Sequence, residues 1–240
     1  MQSNLYVGLS GQLLMERRLN TIAANMANQS VAGYRSEEVS FHTILAKTDK
    51  YPVAYAGTGQ SHILRASGIV TKTDNQLDIA VQGDGWLALQ TPAGTVYTRD
   101  GRMRMLATGD LVSLDNHPVL DAGNTPILLD PEAGPVTIAK DGMITQNGRQ
   151  IGAIGLFELS NNAKLSRYGN SGVIPDKSAT PILDFTSNGI AQGFSEGSNV
   201  NPIMELSKLM TISRNFEQIS TAMQNSENSL RDSIKTLGGA

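Results

Sequence analysis

The 240-residue chain contains no cysteine. That excludes disulfides, thiolate nucleophiles and thiolate-bound metals together, and leaves the redox compartment open. Aromatic residues make up 5% of the chain, with one Trp, too few for a rich aromatic ligand cage. Charge is sparse as well: the net value is −3, and no basic run exists that would follow a phosphate backbone. Nucleic acid is therefore not an expected partner. No apolar run approaches the roughly 20 residues that span a bilayer, so membrane insertion is not expected. The start, Met1-Gln2-Ser3-Asn4, lacks the charged and apolar regions of a secretory signal. Any export is expected to leave the N-terminus uncleaved.

The signatures of chemistry are also missing. His42, His62 and His117 are spaced neither with one another nor with a carboxylate pair, so no metal site is expected. Gly83-Asp84-Gly85 lacks the following helix and the rest of a dinucleotide fingerprint, and reads as a strand turn. No Ser occupies a nucleophile elbow. Asp74, Asp78, Asp84, Asp100, Asp110 and Asp115 fall at turns, where a carboxylate usually hydrogen-bonds its own backbone. Arg99, Arg102 and Arg104 read as a solvated face balanced by Asp100 and Asp110, or as a subunit contact. No catalytic residue, cofactor or metal is expected, and the chain is not expected to be an enzyme.

What is present falls into three zones. In the first, Leu5, Gly8, Gln12, Met15, Leu19, Ile22 and Met26 alternate at spacings of 3 and 4, which is helical period. A polar stretch then leads to Gly33, a natural site for a change of direction. The middle zone holds 19 of the 24 glycines, between Gly57 and Gly197. Asp-Gly and Asn-Gly pairs recur at 84–85, 100–101, 141–142, 147–148 and 188–189, the turns that join antiparallel strands. Short apolar runs lie between them: 77–81, 86–89, 111–114, 127–129 and 151–159. An all-β domain of short strands is expected. In the third zone Leu209, Ile212, Phe216, Ile219, Met223, Ser226, Leu230, Ser233 and Leu237 form a long 3-4 stripe. Pro202 suits a first helical turn, with Asn199 or Asn201 as N-cap.

The fold class expected is therefore α+β, with long N- and C-terminal helices forming a coiled-coil-like pair around a central, mainly antiparallel all-β domain. The expected boundaries are 1–48 for the N-terminal helix and loop, 49–198 for the β domain, and 199–240 for the C-terminal helix. A narrow stripe needs a partner of similar length. Periodicity leaves two partners open: the other helix of the same chain, or another copy.

Several motifs carry a family likeness. Ser10-Gly11, Ala23-Ala24-Asn25-Met26-Ala27-Asn28 and Gly33-Tyr34-Arg35 resemble the N-terminal signature of the flagellar basal-body rod and hook proteins. Ala24 departs from that pattern, which usually has Asn there, as does Met26 for Leu, and Val31-Ala32 stands where Thr-Pro is common. Leu77 to Leu87, with its Gly83-Asp84-Gly85-Trp86, and Tyr97-Thr98-Arg99-Asp100-Gly101 are similar to two further segments of the family, with Met103 in a Phe place. Ser198-Asn199-Val200-Asn201 and Arg214-Asn215-Phe216-Glu217 resemble its C-terminal segments. The likeness runs in order along nearly the whole chain.

The resemblance implies a structural rod subunit that polymerises helically through its terminal helices and crosses the periplasmic space as part of the axial drive shaft. Length and the Arg-x-Phe-Glu ending suit the proximal-rod branch, with the distal-rod branch as the alternative; a β-rich oligomeric binding module is a more distant reading. The implied partners are other copies, neighbouring rod proteins and the flagellar type III export apparatus. The residues expected to carry assembly are Leu5, Met15, Leu19, Ile22, Asn25, Met26, Asn28, Gly33 and Tyr34 near the N-terminus. At the C-terminal end they are Asn199, Asn201, Leu209, Ile212, Phe216, Ile219, Met223, Leu230 and Leu237.

Overall fold

The computed structural model describes residues 2–48, 51–57 and 59–238. Among them lie two helices and nineteen short strands. Helix α1 spans Gln2–Ala27 and helix α2 spans Pro202–Gly238. The chain divides into two compact units. One joins Met1–Ala27, Glu37–His62 and Asn201–Ala240; the other joins Asn28–Ser36 and Ile63–Val200.

In the helical unit, α1 and α2 run antiparallel. Gln12 Nε2 donates to Ser220 Oγ at 3.1 Å, and Asn25 Nδ2 donates to Glu205 Oε2 at 3.2 Å, so rising numbers on α1 meet falling numbers on α2. Asn201 caps α2: its side-chain oxygen accepts from the amides of Ile203 and Met204 at 3.1 and 3.2 Å. Asn199 is not the cap. After α1, where a loop was expected, the chain forms strands at Glu37–Ser40 and Thr43–Thr48; the second pairs antiparallel with Tyr51–Ala56.

The expected coiled-coil-like pair of long helices does not form; the fold is mixed α+β, two helices with a β-rich body. The helices are unequal, 26 residues against 37. Where they cross, glycine takes the place of an apolar knob. A Cβ on Gly8 would lie 2.8 Å from Met223 Cγ, and one on Gly11 would lie 3.5 Å from Ile219 Cδ1. At these levels α1 meets α2 with small residues and the polar Gln12–Ser220 pair, not with interlocking apolar side chains. Nor is the α2 stripe covered along its length: Leu237 is 83% exposed.

The other unit is the β body. Its widest sheet has six strands in the order Leu165–Tyr168, Gly172–Pro175, Gly94–Thr98, Trp86–Thr91, Leu156–Glu158 and Thr180–Pro181, paired antiparallel. Trp86–Thr91 lies inside this sheet, and alternation sends its side chains to two cores. Leu87 and Leu89 join Ile79, Leu111, Ile144 and Leu156; Trp86 and Ala88 join Tyr97, Phe157 and Val173. Burying each large apolar side chain contributes roughly 1.5–3 kcal/mol. The Asn147-Gly148 pair makes the hairpin turn its sequence predicts. Both residues have positive φ, 47° and 72°, and Gln146 faces Arg149 across the two-residue loop.

Candidate functional site

The helical unit holds its two helices together with a buried polar clamp. Asn25, 1% exposed, sits at the end of α1. Its Nδ2 donates to Glu37 O and its Oδ1 accepts from Glu37 N, both at 2.9 Å. The amide side chain therefore pairs with a strand residue as another strand would, and only Asn or Gln carries both groups in the required geometry. The same Nδ2 reaches Glu205 on α2. Glu205 is buried and accepts from Lys208 Nζ at 2.7 Å, which also lies 3.3 Å from Glu38 Oε1. The Glu205 hydrogen bond holds the Lys208 ammonium above its ordinary pKa, against the opposing effect of partial burial. Beside this clamp is a cavity of ≈ 390 Å³, lined among others by Arg18, Ile22, Val39, Met204 and Ile212.

The β body holds a second buried polar cluster. Glu196, wholly buried, bridges two buried arginines. Arg35 Nη2 lies 2.5 Å from Oε1, and Arg99 Nε lies 2.9 Å from Oε2. Arg99 also donates to the carbonyls of Gly83 and Val81 at 2.9 and 3.1 Å, and to that of Gly85. Arg35 is less well served. Its Nε and Nη1 find no hydrogen-bond partner among the described residues, and its guanidinium lies 5.8 Å from the centre of the Trp86 ring. Burial pushes the Arg35 guanidinium below its ordinary pKa; Glu196 draws it back up, and neighbouring Arg99 adds to the downward push. Around the cluster, Gly33 takes a φ of 67° and donates to Glu196 O at 2.8 Å. A Cβ there would meet Asp100 N at 2.1 Å, so only glycine fits. Tyr34 is buried with the Arg167 guanidinium 4.3 Å over its ring.

This arrangement corrects one reading of the sequence. Arg99 does not belong to a solvated face with Arg102 and Arg104; it is 2% exposed and is held by Glu196 and backbone carbonyls. Arg102 does pair with Asp100, at 2.7 Å. Glu37, Glu205, Lys208 and Glu196 were not anticipated. Glu196 did leave a signal: it is the only carboxylate between Asp184 and Glu205.

The residues expected to carry assembly are distributed as follows. Ile22 and Ile212 are buried and both line the cavity. Met15, Leu19, Met26, Leu209, Phe216, Ile219 and Met223 are half-buried in the helical unit, and Leu237 is exposed. The side chains of Leu5 and Leu230 lie outside the described residues. Asn28, Gly33, Tyr34 and Asn199 belong to the β body. Asn199 Oδ1 accepts from Ser36 N at 2.6 Å and its Nδ2 donates to Ala66 O at 2.9 Å. Among the described residues no helix is long and apolar enough to cross a membrane. Nor is any group of three or more His, Asp or Glu among them placed to hold a metal ion.

Three parts of the chain match families of known proteins. Residues 5–35 match the family described as "Flagella basal body rod protein", 80–146 "Flagellar hook protein FlgE/F/G D1 domain", and 191–236 "Flagellar basal body rod FlgEFG protein C-terminal". Over its whole length the chain is similar to the "Flagellar basal-body rod protein FlgF" of Mesorhizobium japonicum, 45% identical over 99% of each chain. The chain belongs to the flagellar basal-body rod protein family. The rod protein of the same name from Rhizobium meliloti is 43% identical over all of both chains. The FlgG rod protein of Bacillus subtilis is 26% identical over 98% of each. The margin favours the FlgF branch over the FlgG branch, and a structural role in the basal-body rod, expected from the motifs, is borne out. In this rod protein Gly33, Arg35 and Arg99, from separate motifs, meet at Glu196, with Trp86 beside the Arg35 guanidinium.

Proposed function

We propose that this chain is a structural subunit of the proximal flagellar rod, polymerising helically through its helical unit and carrying no catalytic function. The full-length similarity to FlgF rod proteins carries the reading. Within the 1–48 and 199–240 segments, the parts that belong to the helical unit would supply the rod core, and the β body its outer part. The candidate assembly residues on α1 and α2 act at two levels. Ile22, Ile212 and their half-buried neighbours hold the helices of one copy together; exposed apolar residues on the same helices meet neighbours. Each large side chain so covered contributes roughly 1.5–3 kcal/mol, so a few per subunit suffice once repeated. Contacts between unlike surfaces propagate into a filament when their rotation does not close.

The partners are other copies and neighbouring rod proteins. The route out is the flagellar type III export apparatus. A chain without disulfides can pass a narrow channel unfolded; a lone amphipathic helix is marginal in water, so α1 and α2 order together after passage.

The test is removal of residues 209–237. The truncated chain is expected to be absent from purified basal bodies while its β body stays folded. The single Trp86, buried in that body, reports on it through fluorescence. Incorporation of the truncated chain into the rod contradicts the proposal.

A further inference from the structure

The residues of the helical stripes that sequence periodicity singles out are largely spent within one copy, between α1 and α2. Each helix also carries a second apolar row, outside that seam. On α1 it is Tyr6, Leu9 and Leu13; on α2 it is Ile203, Leu206 and Met210. All six side chains are exposed. Both rows have the same spacing, i, i+3, i+7, which gathers three side chains within about 60° of helix surface. The α1 row is centred about 110° round the helix from Gly8 and Gln12, and the α2 row about 140° from Ile212 and Met223. No charged side chain precedes Glu16 on α1, which is unusual for a solvated helix face.

We infer that the α1 row of one copy docks on the α2 row of a second copy of this chain, in antiparallel register. The inference rests on the rod reading above and names its contact. Two observations identify the partner as another copy. First, the rows match in length and spacing. Second, they sit at different heights in one copy, so they cannot meet each other there. With Gly8 opposite Met223 and Asn25 opposite Glu205, Leu206 lies about sixteen residues along α2 from the point level with Leu9, roughly 24 Å away.

Copies that point the same way along a filament present α1 to a neighbour's α2 antiparallel. That aligns Tyr6 with Met210, Leu9 with Leu206 and Leu13 with Ile203 in three layers. The neighbour is then shifted along the helix direction by about 24 Å. Because the two rows differ, the contact is heterologous and can propagate. Helices alternate through such an array, α2, α1, α2, α1, as a continuous wall.

The absence of cysteine makes the test clean. The full-length chain carrying both Leu9→Cys and Leu206→Cys replaces the native copy in cells, and isolated basal bodies are oxidised and run on a non-reducing gel. A ladder of linked copies is expected, since each copy bonds to the next. Within one copy the two positions are far beyond the span of a disulfide, so a ladder can only arise between copies. Each single variant is expected to give no linked species. Leu13→Cys with Ile203→Cys is a second pair in the same contact, for use should the first impair incorporation. Basal bodies that contain either double variant but show no ladder overturn the inference, as do dimers of a single variant. Absence of the unsubstituted chain from basal bodies overturns the rod reading itself.

Discussion

Glu196 holds two guanidinium groups where water does not reach, and its removal separates their roles. Glu196→Gln leaves both arginines buried without a counter-charge, which costs about 3–5 kcal/mol when one partner of a buried pair is lost. Urea unfolding followed through Trp86 is expected to show that loss. Arg35→Met is expected to cost the least of the three possible truncations. Arg35 spends its hydrogen bonds on Glu196 alone, and its other nitrogens are unpaired and buried. Arg99 supports three backbone carbonyls as well as Glu196, and its loss removes a donor from each of them. Equal costs for Arg35→Met and Arg99→Met contradict this account of the cluster. Little of it was legible in the sequence. Arginine is rarely buried, and Arg99 has Asp100 as its neighbour, so a local reading places it on the surface. Its true partner is 97 residues away. Nothing but the fold brings them together.

At the scale of elements, Asn25 joins α1 to the strand Glu37–Ser40 and to α2. Asn25→Ala removes both hydrogen bonds its side chain makes with the Glu37 backbone, at about 1–3 kcal/mol for buried groups. Thermal unfolding by far-UV circular dichroism is expected to show the helical signal lost at lower temperature while Trp86 fluorescence is unchanged. A parallel fall in both signals contradicts the assignment of Asn25 to the helical unit alone. The elements themselves were unevenly legible. Asn147-Gly148 has one economical conformation between strands, and the hairpin followed. The run Ile127–Leu129 was read as a strand for its apolar character, and its end residues are indeed buried; it joins its neighbours through an isolated bridge from Leu128 to Asp110 and a bond from Ile127 N to Val119 O. Helical periodicity identified both terminal helices and their seam faces. It did not identify what crosses the seam, because Gly8 and Gly11 look like weak points in a helix until Met223 and Ile219 are seen against them.

For the whole molecule, the stripe from Leu209 to Leu237 posed a choice between a partner within the chain and a partner outside it. The structure divides the answer by position. Up to Ser226 the stripe is half-buried or buried, with α1 antiparallel to it; at Leu237 it is exposed. The outward rows then provide surfaces that the seam does not use. A subunit built this way is stable as a helical hairpin and still presents apolar surface to a neighbour, which is what an assembling rod requires. The most direct test is an electron-microscopy map of the intact basal body with side chains resolved. In it, α1 and α2 of this chain are expected in the rod wall, with Leu9 of one copy against Leu206 of the next. A map with the β bodies forming the wall and the helices of each copy touching no neighbour contradicts this arrangement.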